Sequence, residues 1–328
     1  MVSVVVPIYN EEENIKAFHA TLLSVLEDVP ESWEIIYVND GSHDASLPLL
    51  LDIQGNDSRV TVVEFSRNFG HQPALTAGLQ TAQGDAVILM DGDFQDPPQV
   101  LPALLDSWRN GAKVVIAERT SRAEKGLRSI LFPMFYRVMG FISDFPIPLN
   151  AGIFGLLDRQ AVDAINRLQE NNRYLPGLRA WVGFPTAVVY YERADRAAGE
   201  PKQTFTRLFK YAMDAIFSFS YKPLRLGLAV GATLLAIALM FGVAVISLSL
   251  ADSSFAGPRL VASYTMLVVL FAAGVQLICI GLLGEYIGRI YDEVRRRPLY
   301  LIHEVHKAHA AVKAQRIEPL PYPVVRAG

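Results

Sequence analysis

Short apolar runs alternate with amphipathic stretches over the N-terminal part of the chain. Ser3–Val6, Glu34–Val38, Val60–Phe65, Ala86–Met90 and Val114–Ala117 have the length and composition of buried strands. Between them, Glu12–Leu26, Ser46–Ile53, Pro73–Ala82 and Val100–Trp108 place apolar residues at helical spacing. This alternation predicts an α/β fold, a mostly parallel sheet with helices on both faces. In such sheets ligands bind beyond the carboxyl ends of the strands, so the chemistry should follow each strand.

The pattern changes after residue 200. Phe205, Leu208, Phe209, Ala212, Met213, Ile216 and Phe217 form one apolar stripe, with Arg207, Lys210 and Asp214 off it. That is the layout of a helix lying in the headgroup layer or packed on the domain. Leu226–Leu250 and Leu260–Gly284 then run 25 residues each without a charge. At a rise of about 1.5 Å per residue, each reaches roughly 37 Å, enough to cross a hydrocarbon core of about 30 Å. The linker Ala251–Arg259, with its Gly257-Pro258 breaker, makes the pair a hairpin. Lys202, Arg207, Lys210, Lys222 and Arg225 precede it, Arg289, Arg295, Arg296 and Arg297 follow it, and the linker carries only Arg259. Positive charge stays cytoplasmic, so both flanks are expected inside and the hairpin tip outside. Met1–Asn10 has no basic start and Glu11-Glu12-Glu13 ends its apolar stretch, so no leader peptide is expected there. The expected organisation is a cytoplasmic domain over 1–203, an amphipathic juxtamembrane helix over 204–225, spans over 226–250 and 260–284, and a cytoplasmic tail over 285–328.

Composition agrees with this division. Of 328 residues, 51% are hydrophobic and 19% charged, against roughly 25% charged in a typical soluble domain. Mean hydropathy is +0.25. With 30 basic and 33 acidic side chains the net charge is −3, which speaks against a nucleic-acid binder. The single cysteine, Cys279, excludes an intrachain disulfide or a cysteine-based zinc cluster and falls in the second span as a packing residue.

The strand ends carry the polar residues the fold demands. They are Pro7-Ile8-Tyr9-Asn10-Glu11, Asn39-Asp40-Gly41-Ser42, Arg67-Asn68-Phe69-Gly70, Asp91-Gly92-Asp93-Phe94-Gln95-Asp96 and Glu118-Arg119. No G-x-x-x-x-G-K-[ST] or strand-borne G-x-G-x-x-G occurs, which removes the main support for nucleotide hydrolysis and dinucleotide redox chemistry. Asp40, Asp91 and Asp93 at one sheet edge would repel unless a cation sat among them, and hard oxygen ligands suit Mg²⁺ or Mn²⁺. The alternative is that Asp40 and Asp91 cap the helices that follow.

Val4-Val5-Val6-Pro7-Ile8-Tyr9-Asn10-Glu11, Asn39-Asp40-Gly41-Ser42-His43-Asp44 and Asp91-Gly92-Asp93-Phe94-Gln95-Asp96-Pro97-Pro98 resemble inverting family-2 glycosyltransferases of the GT-A fold. Arg67-Asn68-Phe69-Gly70 with Ala77-Gly78 is similar to the polyprenyl-phosphate branch, which includes dolichol-phosphate mannose synthases and bacterial bactoprenol glucosyltransferases. Gly284-Glu285-Tyr286-Ile287-Gly288-Arg289-Ile290-Tyr291 with Arg297-Pro298 resembles the two-span bactoprenol type, and the likeness runs to about Tyr300.

The resemblance implies a nucleotide-sugar donor, a polyprenyl-phosphate acceptor, a membrane setting and Mg²⁺ or Mn²⁺. Pro7, Tyr9 and Glu11 would line the nucleoside pocket, with Asp40 on the base or ribose side. Asp91, Gly92 and Asp93 would be the D-x-D, both aspartates at the metal and Asp93 its direct ligand. Gln95 and Asp96 would hold the sugar and the catalytic end. Arg119 would contact a phosphate, as would Arg196 and Lys202 of an R-x-x-G-x-x-K pattern. The chain departs from the family at Asn39, at Glu200-Pro201-Lys202, and at Asn150 and Ile153, where relatives carry acids. That leaves Asp158 as the acid to test, or as the N-cap of a helix beginning near Arg159.

A lipid monophosphate has a second pKa of about 6 and is already anionic at neutral pH. No indispensable general base is expected, and Asp96 or Asp158 would orient rather than abstract. Arg119, Arg122, Lys125, Arg128, Arg196 and Lys202 are the cations available to hold phosphate, the middle three beside an apolar stretch from Leu127 to Tyr136. Arg179 and Trp181 form either a sugar subsite or core, and His71 is expected to be an ordinary surface histidine. UDP-glucose is the favoured donor, with GDP-mannose, UDP-N-acetyl sugars and UDP-aminoarabinose as alternatives. A processive polysaccharide synthase would need a Q-x-x-R-W motif and more spans. A silent scaffold is opposed by the intact D-x-D. The partly amphipathic tail Leu299–Arg316 and the extended Pro319–Pro323 would reach a neighbouring subunit of a homo-oligomer.

Overall fold

The computed structural model describes residues 1–120, 151–168, 170–171, 173–191, 222–251 and 258–307. Arg122, Lys125, Arg128, Arg196 and Lys202, the stripe from Phe205 to Phe217 and the end of the tail lie outside them.

The expected strands are present as β1 (Val2–Ile8), β2 (Trp33–Asn39), β3 (Val60–Phe65), β4 (Ala86–Leu89) and β5 (Val114–Arg119). The helices between them are α1 (Ile15–Leu26), α2 (Ser46–Asn56), α3 (His71–Thr81) and α4 (Leu101–Arg109). After β5 come β6 (Ala151–Asp158), α5 (Arg159–Arg167), α6 (Leu175–Trp181) and β7 (Thr186–Tyr191). Two long helices, α7 (Lys222–Ala251) and α8 (Pro258–Arg295), precede β8 (Ile302–Lys307).

The strands form one sheet in the order β7-β5-β6-β4-β1-β2-β3-β8. β1 pairs in parallel with β2 and β4, β2 with β3, and β5 with β7, whereas β6 and β8 run antiparallel to their neighbours. Alternate residues of β1 serve opposite faces, as strand geometry requires. Val4, Val6 and Ile8 join Phe18, Leu22, Leu50 and Leu104 under α1, α2 and α4. Val5 joins Leu75, Leu79, Ile165 and Leu178 under α3, α5 and α6. The sheet is thus covered on both faces, as the alternation predicted.

Helices α7 and α8 are long and apolar enough to cross a membrane, with mean hydropathy 2.2 over Gly227–Ala244 and 1.6 over Phe271–Arg295. Leu228, Leu235, Leu239, Leu277 and Ile278 are all exposed. Cys279 packs as expected, its Sγ 3.6 Å from where a Cβ on Gly227 would sit. Helix α8 continues 11 residues beyond the expected span end at Gly284, a reach of about 16 Å. Its end is docked on the domain: Asn171 donates from its backbone to Glu293 (3.0 Å) and from its side chain to the Asp292 carbonyl (3.1 Å).

The tail then departs from expectation. Residues Ile302–Lys307 are not a free arm but an edge strand of the chain's own sheet, in register with β3 from Phe65↔Ile302 to Thr61↔Lys307. Tyr300 stacks on Phe65 at 4.9 Å and hydrogen-bonds Gln80, and Ser66 donates to the Leu301 carbonyl.

Candidate active site

The carboxyl ends of β1, β2, β3, β4, β5 and β7 share one edge, and the loops there are laced together. Pro7 is buried inside β1, opposite Val38, while Tyr9 projects with 43% of its surface exposed. Asn10 takes a positive φ of 53°, its amide donates to Ser42 Oγ (3.1 Å) and its Oδ1 accepts from the His43 amide (2.9 Å). The Glu11 amide donates to Ser46 Oγ at 3.0 Å, and Glu12 accepts from the Ala45 amide at 2.8 Å. The β1 and β2 loops are therefore one rigid unit.

Asp40 is committed to its neighbours. Its carboxylate accepts the Phe69 amide at 2.7 Å and the Gly70 amide at 2.9 Å. Burial raises its pKa against the pull of those amides. Gly41 sits at φ +64°, where an added Cβ would collide with the Arg67 backbone, so glycine alone lets the two loops close. Asp40 thus ties the end of β2 to the loop after β3, and its charge acts on His71 together with those of Asp91 and Asp93. Of its expected alternatives the helix cap is excluded, since Ala45 precedes α2 as its cap residue.

The loop it pins delivers His71, the first residue of α3. Its Nε2 lies 2.8 Å from Asp91 Oδ1 and donates there, since an ionised carboxylate only accepts. Burial pulls the His71 pKa down, but the hydrogen bond and charge of Asp91, aided by Asp40 and Asp93, raise it overall. The histidine expected to be an ordinary surface residue is part-exposed and pairs with the first aspartate of the D-x-D. Its signal was available: it follows the third strand, where the fold rule places ligands.

After Asp91, Gly92 presses against the core, a Cβ there falling 2.7 Å from Ile8 Cδ1. Asp93 Oδ1 accepts the Gln95 amide at 3.1 Å. Phe94 takes a positive φ of 61° and is held there by edge-on contact with Phe18 at 5.6 Å. A non-glycine residue in that region is strained and is tolerated where packing determines it. The strain turns Gln95 and Asp96 inward; both are buried.

Asp96 meets a residue the sequence reading did not single out. Tyr191, the last residue of β7, donates its hydroxyl to Asp96 Oδ1 at 2.7 Å and accepts from Arg119 Nε at 3.0 Å. Arg119 also lies 3.6 Å from Asp96. Burial and the charge of Asp91 raise the Asp96 pKa, partly offset by Tyr191. Burial, with the Asp96 charge, pushes Tyr191 up to about 12. The apolar run Val188–Tyr191 was the signal for β7.

Of the two expectations for Asp158, the acid of the site and the cap of a helix beginning near Arg159, the structure shows the cap. Asp158 ends β6, which runs against its neighbours, and pairs with Ala86 at the start of β4. It therefore sits at the opposite edge, about 17 Å along β4 from Asp91 at 3.3 Å per residue. There it is the N-cap of α5, accepting from Gln160 N (3.0 Å), Trp108 Nε1 (2.8 Å) and Lys113 Nζ (3.1 Å). Arg179 is no sugar subsite either: it is buried, donates to the Gly152 and Ile153 carbonyls, and burial lowers its pKa to about 10. Trp181 is 57% exposed and so is not core.

The Asp91 and Asp93 pair offers hard carboxylate oxygens two residues apart, which fits Mg²⁺ or Mn²⁺ completed by phosphate and water. Among the described residues, the group whose potential ligand atoms lie within 4.8 Å of one another is elsewhere, at Glu64, Glu304 and His306.

A family model described as "Glycosyl transferase family 2" matches residues 3–165. The chain is 42% identical over 311 residues to the bactoprenol glucosyl transferase of Shigella phage SfII, covering 94% of this chain and 99% of that one. It is 39% identical to a prophage bactoprenol glucosyl transferase homolog of Escherichia coli K12, covering 93% and 99%. An uncharacterized glycosyltransferase of Synechocystis is 41% identical over 92% and 95%. This protein belongs to glycosyltransferase family 2, and its mixed sheet covered by helices is of the GT-A type.

Proposed function

We propose that the protein transfers glucose from UDP-glucose to undecaprenyl or another polyprenyl phosphate at the cytoplasmic face of a membrane, with inversion at the anomeric carbon. The observation that carries this reading is one chain holding both an acidic, cation-lined sheet edge and two exposed apolar helices of 30 and 38 residues. The names borne by the phage and prophage relatives supply the acceptor and the sugar. The basic flanks support a topology with residues 1–203 and the tail on the cytoplasmic side and α7 and α8 crossing the bilayer.

In this reading an acceptor phosphate oxygen attacks the anomeric carbon as the bond from that carbon to the diphosphate oxygen breaks. The electron pair leaves with the nucleoside diphosphate, and a single displacement inverts the centre. The acceptor is already anionic, so no proton need be removed. Tyr9 and Glu11 border the nucleoside and Asp40 fixes the floor beneath it. Gln95 and Asp96 hold the sugar. Arg119 offsets the repulsion between two phosphorylated substrates, joined by Arg122, Lys125, Arg128, Arg196 and Lys202 from outside the described residues. Mg²⁺ or Mn²⁺ held by Asp91 and Asp93 would neutralise charge on the departing diphosphate.

The test is transfer of radiolabelled sugar to polyprenyl phosphate by the purified full chain, with a panel of nucleotide sugars and with or without EDTA. Labelling from UDP-glucose alone, lost with EDTA, is expected. Labelling from another donor would correct the sugar, and labelling that survives EDTA would remove the metal. A folded protein that neither binds nucleotide nor labels lipid from any donor would end the reading.

A further inference from the structure

Tyr191 is placed as no simple core residue would be. Its ring is buried edge-on against Phe154 at 5.4 Å, and its backbone carbonyl accepts both the amide and the hydroxyl of Thr120, at 2.9 and 2.7 Å. Its position opposite Arg119 is fixed by the parallel register of β5 and β7. The hydroxyl lies between a cation and a carboxylate that arrive from different strand ends, accepting from Arg119 and donating to Asp96. A phenol suits this place because it accepts and donates through one oxygen. Phenylalanine would fill the same volume and leave both partners without it.

We propose that Tyr191 is the positioning residue of the transfer site. It seats the Arg119 guanidinium by its Nε edge, with Nη2 3.6 Å from Asp96, so that the part-exposed guanidinium addresses a substrate phosphate, and it fixes the Asp96 carboxylate beside the sugar. The proposal rests on the reading that Arg119 and Asp96 serve sugar transfer. Arg119 is about one-third exposed while Asp96 is buried, so the cation faces the open side and the tyrosine holds it from behind. Preorganised charge of this kind acts where charge develops, and a small misplacement costs rate far more than it costs binding.

The experiment is a kinetic double-mutant cycle on the full chain in membranes or detergent, using Tyr191→Phe, Arg119→Ala and the double variant. Tyr191→Phe is expected to lower kcat on the order of 10–100-fold, with donor KM changed far less. In the Arg119→Ala background the same substitution is expected to cost clearly less, because one of the two groups it positions is gone and only the Asp96 contact remains to be lost. Equal losses in both backgrounds, or wild-type kcat in Tyr191→Phe, would overturn the proposal. If Tyr191→Phe does not fold, Arg119→Lys takes its place, since lysine keeps the charge and loses the seated fork. It should then resemble Arg119→Ala, and a wild-type kcat in Arg119→Lys would sink the idea. Absence of transfer by the wild-type chain would instead count against the proposed function.

Discussion

His71 Nε2 and Asp91 Oδ1 meet at 2.8 Å, joining the start of α3 to the residues that follow β4. The contact ends a chain of constraints. Asp40 pins the Phe69 and Gly70 amides, Gly70 turns at φ 105°, and the next residue reaches Asp91. Asp91 is therefore oriented by a neighbour before any substrate arrives, and Asp93 by the Gln95 amide.

Replacing His71 by alanine should loosen the Asp91 carboxylate without unfolding the domain. A charge-assisted hydrogen bond is worth more than a neutral one, but partial exposure of both partners reduces its value. The expected effect is a rise of about 3–10-fold in the nucleotide-sugar dissociation constant. Calorimetric titration of nucleotide sugar into His71→Ala checks it, and unchanged affinity would show that Asp91 needs no such support.

Asp158 should matter for stability and not for turnover. Burial raises its pKa, but hydrogen bonds from Trp108, Gln160 and Lys113, with the Lys113 charge, lower it overall. The ionised form is thus favoured in the folded state. Its stabilisation is in full force above the unfolded carboxyl pKa of about 3.9 and is lost as pH falls through the lower folded value. Asp158→Ala should cost about 1–3 kcal/mol at pH 7, and the gap to wild type should narrow below about pH 4. Thermal melts at both pH values, with kcat measured beside them, provide the check. A kcat loss exceeding the loss of folded protein would return Asp158 to the chemistry.

The parallel half of the fold was legible because its strands are continuous apolar runs followed by polar turns. The rule that ligands sit at carboxyl ends then found Asp91, Asp93, Asp96 and Arg119 together. Asp158 came from the family pattern and not from that rule, and its N-cap alternative is the one the structure shows: β6 is reversed, which moves its last residue to the far edge, and no periodicity in Ala151–Asp158 signals direction. Ile302–Lys307 escaped for another reason: His303, Glu304, His306 and Lys307 make it polar, as suits an exposed edge strand. His71 stood after the third strand, where the rule applies, but its partner Asp91 and the partners of Tyr191 come from other strand ends, and only the folded register brings them together.

The β8 strap makes its own prediction. Tyr300 is half-buried and stacked on Phe65, and Leu301 accepts from Ser66, immediately before the loop that carries His71. Tyr300→Ala should destabilise the domain by about 1–3 kcal/mol, less than a fully buried aromatic because this ring is only partly covered. Hydrogen exchange should quicken at Phe65–Gly70 ahead of β1 and β2. Uniform exchange across the sheet would mean that the strap stabilises the whole domain and does not act on this loop.

The two aspartates of the D-x-D should differ under metal removal. Asp91 already answers His71, and its substitution perturbs orientation as well as charge. Asp93 accepts the Gln95 amide through one oxygen and lies within electrostatic range of His71 and Asp96, which suits a direct ligand. Asp93→Ala should therefore lose at least about a hundredfold in kcat, the scale of a lost electrostatic stabiliser of the leaving group. It should also abolish any gain in nucleotide affinity on adding Mn²⁺. Asp91→Asn, which keeps an oxygen for a cation but loses the charge that draws His71, should retain part of that gain. Calorimetric titrations of UDP with and without Mn²⁺ across the two variants separate the roles. Equal loss of the Mn²⁺ effect in both would make the aspartates joint ligands, and a preserved effect in Asp93→Ala would place the cation elsewhere.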